Sequence, residues 1–316
     1  MQLARALFLR VLFGALSLLF ISFVTFLADE IQPGDRATVD AGEKARVETV
    51  LRLREIYGLN RPWPVRYAEY VGKTVQGDFG TSYYGVKEPV NKIIARNFPV
   101  TVIVATSAIT LASILGIFLG TLASIWANRA GDRTILVGST LFVTLPNFVL
   151  APILVFIFCL QMDDLPQTWS VDRPQGDFWF FILPVAVLAA RPTALLTRLT
   201  RAKMVETMQQ EFIRACVAKG VPKFRLVVRH GLRNAILPVI TAIGTSFGAL
   251  LTGSFVVETV FNLPGIGFLT IDAIRKGDMP VIQACVLLTG AMFILLNLIV
   301  DLILPLLDPR IRESQV

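Results

Sequence analysis

Residues 191–233 carry ten Lys/Arg against two acids, Glu206 and Glu211, a net +8 in a chain whose total is +7, and they stand between two apolar runs. One Arg or Lys at the centre of a membrane helix costs about 2.5–3.5 kcal/mol. The segment therefore belongs in water, and an excess of Lys/Arg between spans marks the cytoplasmic face. The remaining loops agree in sign, since residues 161–177 hold four acids and one Arg, as an external loop should. With 54% hydrophobic and 17% charged residues over 316 positions, the chain is too apolar for a soluble protein of its size. It reads as an all-α, polytopic membrane protein.

Six apolar runs serve as spans: 11–28, 99–127, 134–160, 178–196, 236–257 and 281–304. The first follows Arg5 and Arg10 and lacks a small-x-small cleavage site, so it predicts an uncleaved helix with a cytoplasmic N-terminus. Gly116 and Gly120 form a small-xxx-small pair that lets a neighbouring backbone approach, and Gly244, Gly248 and Gly253 make a second small face. Pro146 and Pro152 kink the third span. Residues 29–97 form an extracytoplasmic segment. Helices are predicted over 41–57 and 64–75, with a turn at Asn60–Pro64 between them, and Ile56, Tyr57, Leu59, Trp63, Tyr67 and Tyr70 offer a core. Residues 98–316 are then a five-helix core with its cytoplasmic loop at 201–233, ending with Asp308–Arg312 in the cytoplasm.

Several chemistries are excluded. One His and three scattered Cys make neither a metal centre nor a disulfide framework. Gly72-Lys73-Thr74 mimics the end of a phosphate-binding loop, but the required earlier glycine is Tyr67. The basic charge sits beside membrane spans, where topology accounts for it, so nucleic acid is not expected as a partner. No cofactor and no catalytic group are expected. Asp301 and Glu258 lie at the ends of spans, where water or a snorkelling Arg satisfies a carboxylate, although an intramembrane acid is a functional candidate by default.

Within the basic loop, residues 205–220 lack Pro and place Val205, Met208, Phe212 and Cys216 on one helical face. Gly220 suits a left-handed C-cap and Pro222 the first turn of a second helix through Phe224, Val227 and Val228. Two short amphipathic helices meeting at a glycine bend either lie on anionic membrane lipid or dock into a groove of another protein.

The run from Glu211 to Pro238 resembles the cytoplasmic signature loop of bacterial ABC-importer permeases, which reads Glu-Ala-Ala, three residues, Gly, nine residues, Ile-x-Leu-Pro. Aligned on Gly220, the first three positions are Arg214-Ala215-Cys216 and the last are His230-x-Leu232-Arg233. These departures resemble the oligopeptide and dipeptide branch, apart from Cys216 in place of Ala. Leu59-Asn-Arg-Pro62, Gly77-Asp-Phe-Gly-Thr-Ser82 and Asn262-Leu-Pro-Gly-Ile-Gly267 are similar to the same branch.

The resemblance implies the type I ABC-importer permease fold with six spans, in the bacterial inner membrane. It implies a second homologous permease subunit, two ATP-binding subunits that perform the hydrolysis, and an extracytoplasmic solute-binding protein delivering peptide cargo. The residues that would meet an ATPase subunit are Phe212, Ile213, Arg214, Ala215, Cys216, Lys219, Gly220, Val221 and Pro222. The alternatives are another solute of the same family, such as nickel, glutathione or opine-like compounds, or a secondary transporter. An intramembrane hydrolase would need a nucleophile and base that the spans do not offer.

Overall fold

The computed structural model describes residues 2–31, 36–42, 45–84, 86–162, 165–166 and 178–307. Among them the chain is helices joined by turns and short loops, with an isolated bridge between Thr81 and Pro89. Among the described residues, five helices are long and apolar enough to cross a bilayer: Phe8–Ile31, Val90–Ile125, Trp179–Met208, Lys223–Thr252 and Met279–Val300. Two compact units divide the chain, one of residues 3–99 with 264–294 and one of 100–263 with the chain from Leu295.

In the first unit, α1 (Gln2–Ile31) leaves Phe8, Phe13 and Phe20 exposed, as a helix surrounded by lipid does. After α2 (Arg36–Ala41) and α3 (Val47–Ile56) comes α4 (Trp63–Val75), which returns along α1. Aromatic rings join the pair: Tyr67 meets Phe23 edge-on at 5.5 Å and Phe26 at 5.3 Å, and Tyr70 stacks on Phe26 at 5.9 Å. The polar tip of Tyr67 reaches Ser22 Oγ at 3.0 Å. The 41–57 helix expected from sequence is shortened at its start, because Gly42 adopts φ 83° and ends α2, so that α3 begins only at Val47. Asp40 accepts hydrogen bonds from Tyr57 Oη (2.6 Å) and Lys87 Nζ (2.8 Å), closing this segment on itself. The stretch after Pro264 holds a full helix, α13 (Ile266–Lys276), stopped by Gly277 at φ 72°. Its Ile266 and Ala273 share a core with Val90, Ile93, Val281, Ala284 and Cys285.

The second long helix, α5 (Val90–Ile125), starts nine residues before the expected span, with Pro99 inside it. Nothing in 90–98 breaks a helix, and Asn97 caps its own polarity by donating to the Ile93 carbonyl (2.7 Å). In the second unit α5 lies against α8 (Trp179–Met208) at the glycine pair. A Cβ on Gly116 would stand 2.5 Å from Leu196 Cβ, and one on Gly120 would stand 2.6 Å from the Thr197 carbonyl oxygen. The small-residue pair thus performs the close approach its spacing predicts.

The expected third span is two helices, α6 (Ala130–Thr144) and α7 (Asn147–Val155), the latter continued by a wider turn over Phe156–Gln161. Pro146 is the cause: it forces Leu145 into extended backbone (φ −82°, ψ 115°) and cannot donate to the preceding turn. The acidic stretch 167–177 and the end from Asp308 lie outside the described residues, as does the side chain of Asp301.

Where a loop is expected from Arg191 onward, α8 instead runs unbroken through Arg191, Arg198 and Arg201 to Met208, so the first part of the basic segment is helical. The chain continues through α9 (Glu211–Ala218), α10 (Lys223–Arg225), a wide turn over Leu226–Leu232 and α11 (Arg233–Gly253). After Ser254, α12 (Phe255–Val260) carries Glu258. This carboxylate is fully buried, not at a wet interface as expected from sequence, and its Oε1 accepts from Ser254 Oγ (2.7 Å) and Thr101 Oγ1 (2.8 Å). The last helix, α14, spans Met279–Leu307.

Candidate functional site

The segment from Met208 to Leu232 is built differently from the single long helix that its periodicity predicts. Residues 205–219 do not form one helix: α8 stops at Met208, and Gln210 turns extended (φ −73°, ψ 155°) before α9 begins at Glu211. Val205 and Met208 therefore share no face with Phe212 and Cys216. Met208 packs against Met204, Val227 and Ala235. Glu211 in the first turn of α9 complements the positive end of the new helix.

The glycine bend is as predicted. Gly220 sits at φ 76°, its N–H donates to the Val217 carbonyl (2.9 Å), and the Val221 N–H donates to the Cys216 carbonyl (3.2 Å). These two bonds are the Schellman closure of a helix end. Pro222 stands just before α10 in extended backbone (φ −62°, ψ 143°), so it caps that helix instead of opening its first turn. The second helix is not a separate surface element. It runs from Lys223 through the wide turn into α11, so the basic residues Arg225, Arg229 and Arg233 extend a span outward.

On α9 only Ile213 is buried, at 3% exposure. Phe212 is 37% exposed, Phe224 is 80% exposed, and Arg214, Ala215, Lys219 and Pro222 are all exposed, with Cys216 and Val221 half-buried. Ile213 is thus the buried residue of α9, which packs on the 226–232 turn, while Phe212 and Phe224 are exposed, as are the cations Arg214, Lys219, Lys223 and Arg225 of the same segment. A single-helix periodicity could not separate these roles, because it places Phe212 on the packed face.

Deeper in the same unit, Asp132 at the start of α6 is 2% exposed and takes two bonds from Arg201, Nη2 at 2.6 Å and Nε at 3.1 Å. The Asn128 N–H adds a third at 2.8 Å. The guanidinium hydrogen bonds hold the Asp132 carboxyl below the usual carboxylate range against an opposing burial effect. This pair was absent from the sequence reading, although Arg201 had been counted as loop charge.

The family described as binding-protein-dependent transport system inner membrane component matches residues 92–313, and its N-terminal companion matches residues 3–105. The glutathione transport system permease protein GsiC of Salmonella choleraesuis (strain SC-B67) is 39% identical over 300 residues, 94% of this chain and 95% of its own. GsiC of Escherichia coli (strain K12) is 38% identical over 303 residues, 95% and 97% of the two chains. The crystal structure of an amino acid ABC transporter with histidines is alike in fold, with a TM-score of 0.50 at 16% identity, covering 69% of this chain and 94% of that one.

Proposed function

Because this chain belongs to the family of inner membrane components of binding-protein-dependent transport systems, we propose that it is the permease subunit of an ATP-driven importer that carries short peptides. It forms the route with a second, homologous permease, while two ATP-binding subunits work from the cytoplasm and a solute-binding protein delivers cargo outside. The relatives of 38–39% identity are named for glutathione, itself a tripeptide, which supports the short-peptide class.

The observation that carries this reading is the α9–Gly220–α10 elbow, an exposed aromatic and cationic knob whose two arms lead into long apolar helices. An ATPase subunit would receive Phe212 and Phe224 in a groove, with Arg214 and Lys219 meeting acids at its rim. Closure of the ATPase pair then pushes on α9. Since α9 rests through Ile213 on the turn that continues into α11, the push reaches that span directly. It reaches α8 through the two-residue link at Gln209 and Gln210. Coupling of this kind is a free energy shared between the nucleotide and cargo sites. The external segment 29–97 and the region after Pro264 serve as the docking surface for the binding protein.

The test is uptake of radiolabelled glutathione and of trialanine by cells with and without the chain, together with copurification on an affinity-tagged chain. Chain-dependent uptake that stops on ATP depletion, with an ATP-binding subunit in the eluate, is expected. Uptake that persists on ATP depletion and follows an ion gradient would replace this reading with a secondary transporter.

A further inference from the structure

The second unit contains a cavity of about 510 Å³ that the coupling loop does not use. Its volume falls in the range of about 300–1,000 Å³ common to small-molecule sites. Its walls are mostly apolar, and its polar groups converge from three helices: Arg191 and Arg198 from α8, Asn147 from the start of α7, and Thr245 with Ser246 from α11. Arg191 and Arg198 are exposed to this space, and neither has an ion-pair or hydrogen-bond partner among the described residues.

Two unpartnered guanidiniums inside an apolar helix need a reason. Counted from Trp179 at 1.5 Å per residue, Arg191 lies about 18 Å and Arg198 about 28 Å along α8. The first is past the middle of a hydrocarbon layer about 30 Å thick. An ionisable residue at that depth faces a cavity and marks a route or site. Pro192 adds to the polarity, since its missing N–H leaves the Leu188 carbonyl, on the same wall, without its intrahelical donor. The two arginines are separated by seven residues, two helical turns, and so stand about 10 Å apart on one face. Each guanidinium offers a planar fork that matches a carboxylate at two points.

We propose that this cavity is a cargo station for acidic short peptides, in which Arg191 and Arg198 each take one of two carboxylates at opposite ends of the solute. The proposal rests on the importer reading above and deepens it by naming the charge of the cargo. Asn147 and Ser246 supply neutral contacts to the peptide between the two ends, and the apolar wall accepts its middle.

The experiment uses the complete transporter, copurified with its partner subunits and reconstituted in zwitterionic vesicles. Uptake of glutathione, with two carboxylates, is compared with uptake of trialanine, with one, for wild type, Arg191→Gln, Arg198→Gln and the Lys variants at both positions. The Gln variants are expected to raise the KM for glutathione at least tenfold while changing that for trialanine less than threefold, and Lys is expected to restore only part of the loss. Subunit content of the purified complex is expected to stay unchanged.

Equal losses for both peptides, loss of a subunit from the Gln and Lys variants alike, or wild-type KM values throughout would each overturn the station. A defect that appears only when anionic lipid is added would overturn it too, by assigning the arginines to a lipid headgroup. If wild type imports trialanine in an ATP-dependent way but ignores the Arg substitutions, the station fails and the importer stands. If wild type shows no ATP-dependent uptake of either peptide, both fall.

Discussion

Arg201 and Asp132, 69 positions apart, meet through two nitrogens and two oxygens, and so tie the last turns of α8 to the first turn of α6. Removing one partner of a buried pair leaves a charge without compensation, which costs about 3 kcal/mol. Asp132→Ala is therefore expected to lower the melting temperature of the purified protein clearly, and Arg201→Lys to do so in part, because an ammonium cannot reproduce the two-point contact. Equal stability of Arg201→Lys and wild type would mean that the pair acts as a point charge only.

The same pair sets a pH dependence. The folded carboxyl of Asp132 titrates below its unfolded value, chiefly because of the Arg201 hydrogen bonds. Its stabilisation is complete above the ordinary carboxylate pKa of about 3.9 and is lost as pH falls through the lower, folded value. Wild type should lose more stability between pH 5 and pH 3 than Asp132→Asn does, as read by thermal unfolding in detergent. Parallel losses would show that other carboxylates govern the acid limb.

Asp278 accepts from the Tyr83 N–H at 3.1 Å and from Ser82 Oγ, binding the segment before α5 to the turn after α13. Burial raises the Tyr83 phenol above its ordinary pKa, so it stays neutral at every working pH. If this surface receives the binding protein, Asp278→Ala should weaken stimulation of ATP hydrolysis by the loaded binding protein about tenfold or more with basal hydrolysis intact. Deletion of residues 36–55 should abolish that stimulation. Normal stimulation after the deletion would place the docking surface elsewhere.

The glycine pair makes a steric prediction that needs no partner. Gly120→Val brings a branched Cβ against the Thr197 backbone, where no side chain can yield, and overpacking of this kind costs about 1–3 kcal/mol. Gly72→Ala and Gly138→Ala, both in open space, serve as controls and should leave the melting temperature within a degree or two.

The parts legible in the sequence were those governed by local covalent rules. Gly220 needed positive φ, Pro146 had to disturb its helix, and Gly116/Gly120 had to admit a neighbour; each did so. What escaped were features set by distant partners. The link at Gln209 and Gln210 carries no breaker residue, and beside it Met204 and Met208 pack against Val227 and Ala235, which come from beyond the elbow. Arg191, Arg198 and Arg201 read as loop charge because hydropathy cannot tell an arginine facing water from one facing a cavity or an aspartate. Glu258 read as interfacial because the Thr101 hydroxyl that meets it is 157 positions away.

At the elbow, the two neighbouring apolar residues Phe212 and Ile213 have separate roles, one exposed and one buried. A Cβ at Gly220 meets nothing within 4 Å, so any effect of substitution there comes from backbone strain alone, about 1 kcal/mol or more for a side chain in the left-handed region. Gly220→Asn, which tolerates that region, should stay close to wild type, while the β-branched Gly220→Val should open the Schellman closure and swing α10 away from α9. Phe212→Asp changes only an outward residue, so the protein should fold, insert and keep its melting temperature, yet lose the ATPase subunits or peptide-stimulated hydrolysis. Ile213→Asp puts a charge at the buried foot of α9 and should lower stability before any partner is present. The measurements are melting temperature of the isolated subunit, copurification of ATPase subunits, and peptide-stimulated hydrolysis in vesicles. Wild-type stimulation in both Gly220→Val and Phe212→Asp would remove the docking role and leave α9 as a helix lying on the membrane surface.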